Sequence, residues 1–299
     1  MRRAIFEFLR NVLVLFTGRG YDRAPWMNDL HHKLSYRLHK LLPKFGITGI
    51  QKVPVPGMPA RFMYVRAEDG GVAHQLIMYR EYEPYESRLM REYLKPGMTV
   101  YNIGANLGYY TILASECVGP MGKVFAFDPA PENFELLRRT VSENRLTNVE
   151  LFPSAVGAAK GSATLSLSRT NSGDHQLQNI PSRNHIVVDV TSIDTFVTEG
   201  HLPPDAIIMD VQGAEFDVLR GASEQLASAK SLILFTEFWH TGLDERHPNG
   251  AAEMLTTLGR AGFQISLIDE KGHTIDKTSS NELLQRFSGN AEANLLCVR

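Results

Sequence analysis

Apolar and polar positions along this chain fall into blocks that predict strands separated by helices. Thr99–Ile103 is a short apolar run of strand length, and residues 109–114 behind it read as a helix. Lys123–Phe127 is the next strand, followed by a helix over residues 132–143 that opens behind Pro131, where proline suits a first helical turn. Val149–Phe152, Ala206–Met209 and residues 232–235 are further strands, with a helix over 213–226 between the last two. Residues 163–168 and 186–190 add strands outside that series, and 192–196 makes a helical turn. A helix over 251–261 and strands over 263–268 and 294–298 complete the alternation. Repeating strand–helix units predict an α/β fold, a Rossmann-like, mainly parallel, doubly wound sheet with helices on both faces. Ligands of such sheets bind beyond the carboxyl ends of the strands, and this reading delivers Asn102, Asp128, Asp210 and Glu237 to that edge.

The first 80 residues follow another pattern. Residues 4–16 are apolar but interrupted by Glu7, Arg10 and Asn11, too short and polar for a transmembrane helix. No small-x-small cleavage site follows at residues 17–19. A helix is expected over 28–42, with Leu30, Leu34, Leu38, Leu41 and Leu42 as its packing stripe. His31, Lys33, Arg37, His39 and Lys40 lie mostly off that stripe, and His31, His32 and His39 are read as solvated. The Pro-rich stretch 53–59 is extended, 61–66 alternates as a strand, and 76–79 is expected to pair with it as a hairpin. A helix over 87–94 then leads into Thr99–Ile103. The chain therefore divides into a helical and hairpin extension, 1–80, and an α/β domain, 81–299.

Charge sharpens this division. The whole chain carries −2, yet residues 1–50 hold nine Lys and Arg against three acids, leaving about −8 for the remainder. The acidic remainder offers no electrostatic track for nucleic acid. The basic start suits either a helical cap with a solvated face, which is the preferred reading, or a membrane-surface anchor over residues 1–45 or an oligomer arm. Cys117 and Cys297 sit in apolar runs and are read as reduced thiols in a cytoplasmic protein, membrane-peripheral if the anchor operates.

Candidate chemistry centres on Gly104-Ala-Asn-Leu-Gly108. Strand, glycine turn and helix bring a ligand against backbone N–H groups. The spacing is neither the dinucleotide fingerprint nor a phosphate loop. Asp128, 20 positions beyond Gly108 at the end of the next strand, is placed to accept from ribose hydroxyls.

With those residues in hand, the chain resembles the FkbM family of S-adenosylmethionine-dependent methyltransferases. The likeness rests on Glu83-Pro-Tyr-Glu86, Lys95-Pro-Gly97, Asn102-Ile-Gly-Ala-Asn-Leu-Gly-Tyr-Tyr-Thr111, Phe127-Asp-Pro129 with Asn133, Val190-Thr-Ser-Ile-Asp194 and Asp210-Val-Gln-Gly-Ala-Glu215, across roughly residues 80–240. Asn102 stands where the pattern usually has Asp, and Gln212 where it usually has Glu. The resemblance implies methyl transfer from S-adenosylmethionine to a hydroxyl of a saccharide or related metabolite. It implies cofactor contacts at Asn102, Gly104, Asn106, Gly108, Asp128, Ala155 and Glu86. Asp210, Glu237 and His240 are the candidates for orienting or deprotonating the acceptor, with His175 a more distant one. No ligand spacing demands a metal, although Asp210 with Glu237 offers oxygens to a divalent ion. A membrane-associated lipid-linked glycan as acceptor, and a binding module without turnover, are the alternative expectations.

Overall fold

The structure is a computed structural model that describes residues 2–17 and 25–299; the reading of residues 18–19 and of the His31 side chain falls outside it. Helices α1 (Arg2–Thr17) and α2 (Pro25–His39) lead to a hairpin, β1 (Ile50–Val55) and β2 (Met58–Arg66). A short helix α3 (Val72–His74), its wider continuation Gln75–Tyr79, and α4 (Pro84–Tyr93) precede the sheet. The main series is β3 (Thr99–Ile103), α5 (Tyr109–Val118), β4 (Lys123–Phe127), α6 (Pro131–Glu143) and β5 (Val149–Phe152). Strands β6 (Ala155–Val156), β7 (Gly161–Leu167) and β8 (Asn184–Thr191) form a separate small sheet. Then come α7 (Ile193–Thr198), β9 (Ala206–Met209), α8 (Glu215–Arg220), α9 (Ser223–Ser228), β10 (Ile233–Trp239), α10 (His240–Arg246) and α11 (Gly250–Arg260). Strands β11 (Gln264–Asp269), β12 (Thr274–Lys277), helix α12 (Ser280–Arg286) and β13 (Glu292–Val298) finish the chain.

Eight strands make the central sheet in the order β12-β11-β13-β10-β9-β3-β4-β5. The run from β10 to β5 is parallel, and β13, β11 and β12 add antiparallel pairings at one edge. Side chains of each strand alternate between two cores, as the pleat requires. Val100, Val124, Ala126 and Ile208 pack on one face with α5, α6 and the N-terminal extension. Tyr101, Phe125, Phe127, Ile207 and Met209 pack on the other, with helices from the second half of the chain. This is the expected doubly wound α/β architecture.

Three expectations for local structure are corrected. Residues 76–79 are helical, not a strand. Leu76, Ile77 and Met78 are all buried, which a helical turn permits and a half-exposed strand does not, and β2 pairs with β1 instead. The stretch 213–226 is two helices rather than one. Gly221 lies so close to the small sheet that a Cβ there would sit 2.1 Å from the Gly157 carbonyl oxygen. Asp194 then starts the second helix, accepting from Ser223 Oγ and from the Glu224 and Gln225 N–H groups. Helix α2 docks through only part of the expected stripe: Leu38 packs against the core and Leu42, just beyond the helix, is buried. Leu30, Leu34 and Leu41 are exposed, while Ser35 and His39 are buried. Ser35 Oγ lies 2.6 Å from Tyr79 Oη, and the His39 ring stacks on His74 at 4.7 Å, so polar and aromatic contacts to residues 74–79 set the docking face. His39 is consequently not solvated, and His32 Nδ1 lies 3.2 Å from Tyr79 Oη.

Replacing Asp194 by Ala removes the acceptor for the first N–H groups of α9. The expected loss is about 1 kcal/mol of unfolding free energy, read from urea denaturation.

Candidate active site

Strand β3 ends at Ile103, and the chain turns through Gly104, whose φ is 78°. A side chain there has no room, since a Cβ would lie 2.0 Å from the Asp210 carbonyl oxygen at the end of β9. The Gly104 and Ala105 N–H groups donate to Phe127 O at 3.0 and 2.8 Å, tying the turn to β4. Asn106 takes a left-handed conformation, φ 49°, and its N–H donates to Asp128 Oδ2 at 2.8 Å. Asp128 Oδ1 accepts from the Ala130 N–H at 2.9 Å. One buried carboxylate thus fixes the glycine turn and the loop after β4 together. Burial pushes this carboxyl up to about 7, although both N–H donors favour the charged form.

Two adjoining cavities open at this edge. The first is bounded by Asp128, Asn133, Ala155, Val156, His175 and Leu177. The second, of about 310 Å³, is bounded by Gln75, Tyr82, Asn102, Asp174, Glu237 and Glu292. Gly104, Asn106, Gly173, Asp210 and Gln212 line both. Loop residues 171–175 form the roof of these cavities. Asp69 anchors them, accepting from the Ser172 N–H at 2.7 Å and Ser172 Oγ at 3.1 Å.

Of the residues singled out from sequence, Asn102, Gly104, Asn106, Asp128, Ala155, Asp210 and Glu237 converge on these cavities. Three do not line them. Gly108, φ 99°, starts α5 and lets that helix approach α6, where a Cβ would lie 2.7 Å from Leu137 Cδ1. Glu86 is buried and accepts from Asn294 Nδ2 at 2.5 Å. His240 begins α10, with Nε2 3.3 Å from an Asp244 oxygen. Asn102 is buried and donates through Nδ2 to Thr111 Oγ1 at 2.8 Å.

Asp210 does not cap the following helix. Its Oδ1 accepts from Gln212 Nε2 at 2.7 Å, and the same nitrogen donates to Glu237 Oε2 at 3.0 Å. The orphan N–H groups of that segment are taken by Glu215, whose Oε1 accepts from Val211 at 3.0 Å and Gly213 at 3.3 Å. Glu215 is fully buried, and its Oε2 has no hydrogen-bond partner among the described residues. Nearby, Gly213 approaches the Gly242 backbone so closely that a Cβ would lie 2.9 Å from its carbonyl carbon, a contact the sequence does not advertise. Oxygens of Asp210, Glu215 and Glu237 lie within 4.8 Å of one another, a hard-donor set in number and spacing for a divalent ion. The Gln212 amide supplies a hydrogen-bond donor to two of the three. Burial raises all three carboxyls: Glu215 to about 7, Glu237 well above the usual range, and Asp210 upward against the lowering effect of the Gln212 hydrogen bond.

In sequence the chain is similar to methyltransferases. The model of the methyltransferase FkbM domain matches residues 102–265. The hexuronic acid methyltransferase AglP of Haloferax volcanii is 25% identical over 160 residues, 53% of this chain and 63% of that protein. The chain therefore spans less than two thirds of that relative's length. Methyltransferase 1 of Beauveria bassiana is 25% identical over 149 residues, 42% of this chain and 59% of that protein. Among solved structures, an S-adenosylmethionine-dependent methyltransferase from Aquifex aeolicus aligns with a TM-score of 0.40 and 20% identity, over 72% of this chain and 89% of that one.

The Asp128 carboxyl has a consequence for stability. The folded protein holds its proton up to about pH 7, whereas an unperturbed aspartate releases it near 3.8. Between those values the native state binds more protons than the unfolded chain, so this contribution is full below 3.8 and drains away as pH rises through 7. Asp128→Asn removes the titration. The stability of wild type relative to this variant should fall between about pH 4 and pH 7 in denaturant titrations and level off above that; parallel profiles would contradict the assignment.

Proposed function

Because this chain belongs to the FkbM methyltransferase family, we propose that it methylates a hydroxyl of a neutral saccharide or a related polyhydroxylated metabolite. It is an S-adenosylmethionine-dependent methyltransferase, and its turn suits that cofactor. Asn106 Oδ1 is buried and without a partner among the described residues, an acceptor left over in a residue that lines both cavities. Gly104 keeps its backbone clear of a Cβ. Asn106, Gly104 and Asp128 would hold the cofactor, with Ala155 against the adenine and Asn102 nearer the methionine end. When bound, the cofactor supplies an activated methyl group.

The observation that carries the reading is the position of Asp210 and Gln212, which line both cavities. A side chain at that junction faces cofactor and acceptor at once. Gln212 holds the Asp210 carboxylate by one oxygen and leaves the other for an acceptor hydroxyl. Burial raises the proton affinity of Asp210, which suits a group that takes a hydroxyl proton during transfer. Glu237, tied to the same amide, helps fix that orientation. The second cavity offers many donors and acceptors, as a polyol requires. Asp174, Glu237 and Glu292 border it, and no lysine or arginine does among the described residues. This favours an uncharged acceptor over the hexuronate named for the Haloferax protein, because a second carboxylate would be repelled there.

A radiolabelled-methyl assay over neutral hexosides, amino sugars and uronates tests the class. Methylation of uronates in preference to neutral sugars would overturn the neutral-acceptor assignment. Asp210→Asn should lower kcat by roughly 10²-fold or more while leaving the cofactor Kd within about threefold. Unchanged kcat would remove Asp210 from the reaction.

A further inference from the structure

Helix α1 carries apolar side chains on two sides. Phe6 faces inward, its ring 5.7 Å from that of Phe45, and Arg10 is buried beside it with Nη1 3.4 Å from Ile77 O. Ile5, Phe8 and Leu9 point the other way, at the spacing of one helical stripe, and Phe8 is 66% exposed. The neighbouring helix repeats the arrangement. Having docked through Ser35 and His39, α2 leaves Leu30 and Leu34 in water, with Leu41 exposed just beyond its end. Exposed apolar residues scattered singly need no explanation, but two packed helices that each turn a leucine or phenylalanine stripe outward do.

Among the described residues the exposed charges of α1, α2 and the turn after α2 are basic. Arg2, Arg3, Lys33, Arg37, Lys40 and Lys44 are all exposed. Glu7, the acid of this region whose side chain is described, is half-buried and paired with Arg10 and Arg80. Apolar side chains within a basic fringe match the headgroup region of an anionic bilayer, where the apolar groups enter the acyl boundary and the basic groups meet lipid phosphates. A second copy of the chain is a poorer fit, because a two-fold contact would set like-charged faces against each other. Among the described residues no helix is long and apolar enough to cross a membrane.

We propose that the outward face of α1 and α2 docks this protein on an anionic lipid surface, lying on the bilayer rather than spanning it. Co-sedimentation of the full chain tests this, using phosphatidylcholine vesicles with and without about one third phosphatidylglycerol. Binding should require the anionic lipid and weaken with salt. Phe8→Ser combined with Leu34→Ser, and separately Lys40→Glu combined with Lys44→Glu, should each cut the bound fraction roughly tenfold or more. Calorimetric binding of S-adenosylmethionine, by residues remote from these substitutions, verifies that each variant is folded. The proposal fails if the wild-type chain stays in the supernatant with both vesicle types. It fails equally if the folded variants bind as wild type does. A concentration-dependent dimer that the Phe8 and Leu34 substitutions dissolve, with no vesicle binding, would assign the face to a second copy instead.

Discussion

The close contact between the Gly104 backbone and the Asp210 carbonyl is the constraint on which the site depends. Strands β3 and β9 are parallel neighbours, and the chain leaves β3 for β4 on one side before returning to β9 on the other. Beyond their carboxyl ends the connections diverge and open a crevice, as at any such switch point. Because no Cβ intervenes at Gly104, the two loops touch backbone to backbone, and Asp210 is held against the turn. From there the geometry propagates. Asn106 is forced left-handed, its N–H reaches Asp128, and Asp128 reaches on to Ala130. A larger residue at 104 would move both walls of the crevice.

Buried carboxylates shape the chemistry of that crevice. Asp210, Glu215 and Glu237 share a small volume, and desolvation raises the proton affinity of each. Gln212 eases the arrangement without adding charge, since one amide nitrogen reaches two of the carboxylates. Close by, Glu83 is also pushed to about 7 by burial and receives the Tyr110 hydroxyl. Glu270 accepts from the Tyr85 and Glu86 N–H groups at 3.1 and 2.6 Å and so caps α4 from far along the chain. The acids that line the second cavity, Asp174, Asp210, Glu237 and Glu292, likewise come from separate elements.

The N-terminal extension belongs to the same construction. Gly71, Val72 and Gln75 form part of the second cavity's wall. Asp69 accepts from Ala73 at the start of α3 as well as from Ser172 in the roof, so one side chain joins extension and roof. Hydrophobic packing agrees with this. Phe6, Met63 and Leu76 share one core with Val100 and Ile112 of the sheet layer.

The sequence by itself determined the strand–helix alternation, the family resemblance, and the residues gathered at the turn. Asn102, Gly104, Asn106, Asp128, Ala155, Asp210 and Glu237 were all legible, because a strand end is a local feature and the carboxyl ends of parallel strands share one edge. Only the tertiary structure decided what depended on close approach between distant segments. It split residues 213–226 at Gly221 against the small sheet, and it buried Glu215 beside Asp210 and Glu237. It turned Leu30 and Leu34 of α2 outward, while Ser35 and His39 met partners at residues 74–79. It also carried His240 away toward Asp244 and spent Glu86 on Asn294. Periodicity records which side chains share a face; which face meets the rest of the protein is set by the partners that the fold brings to it.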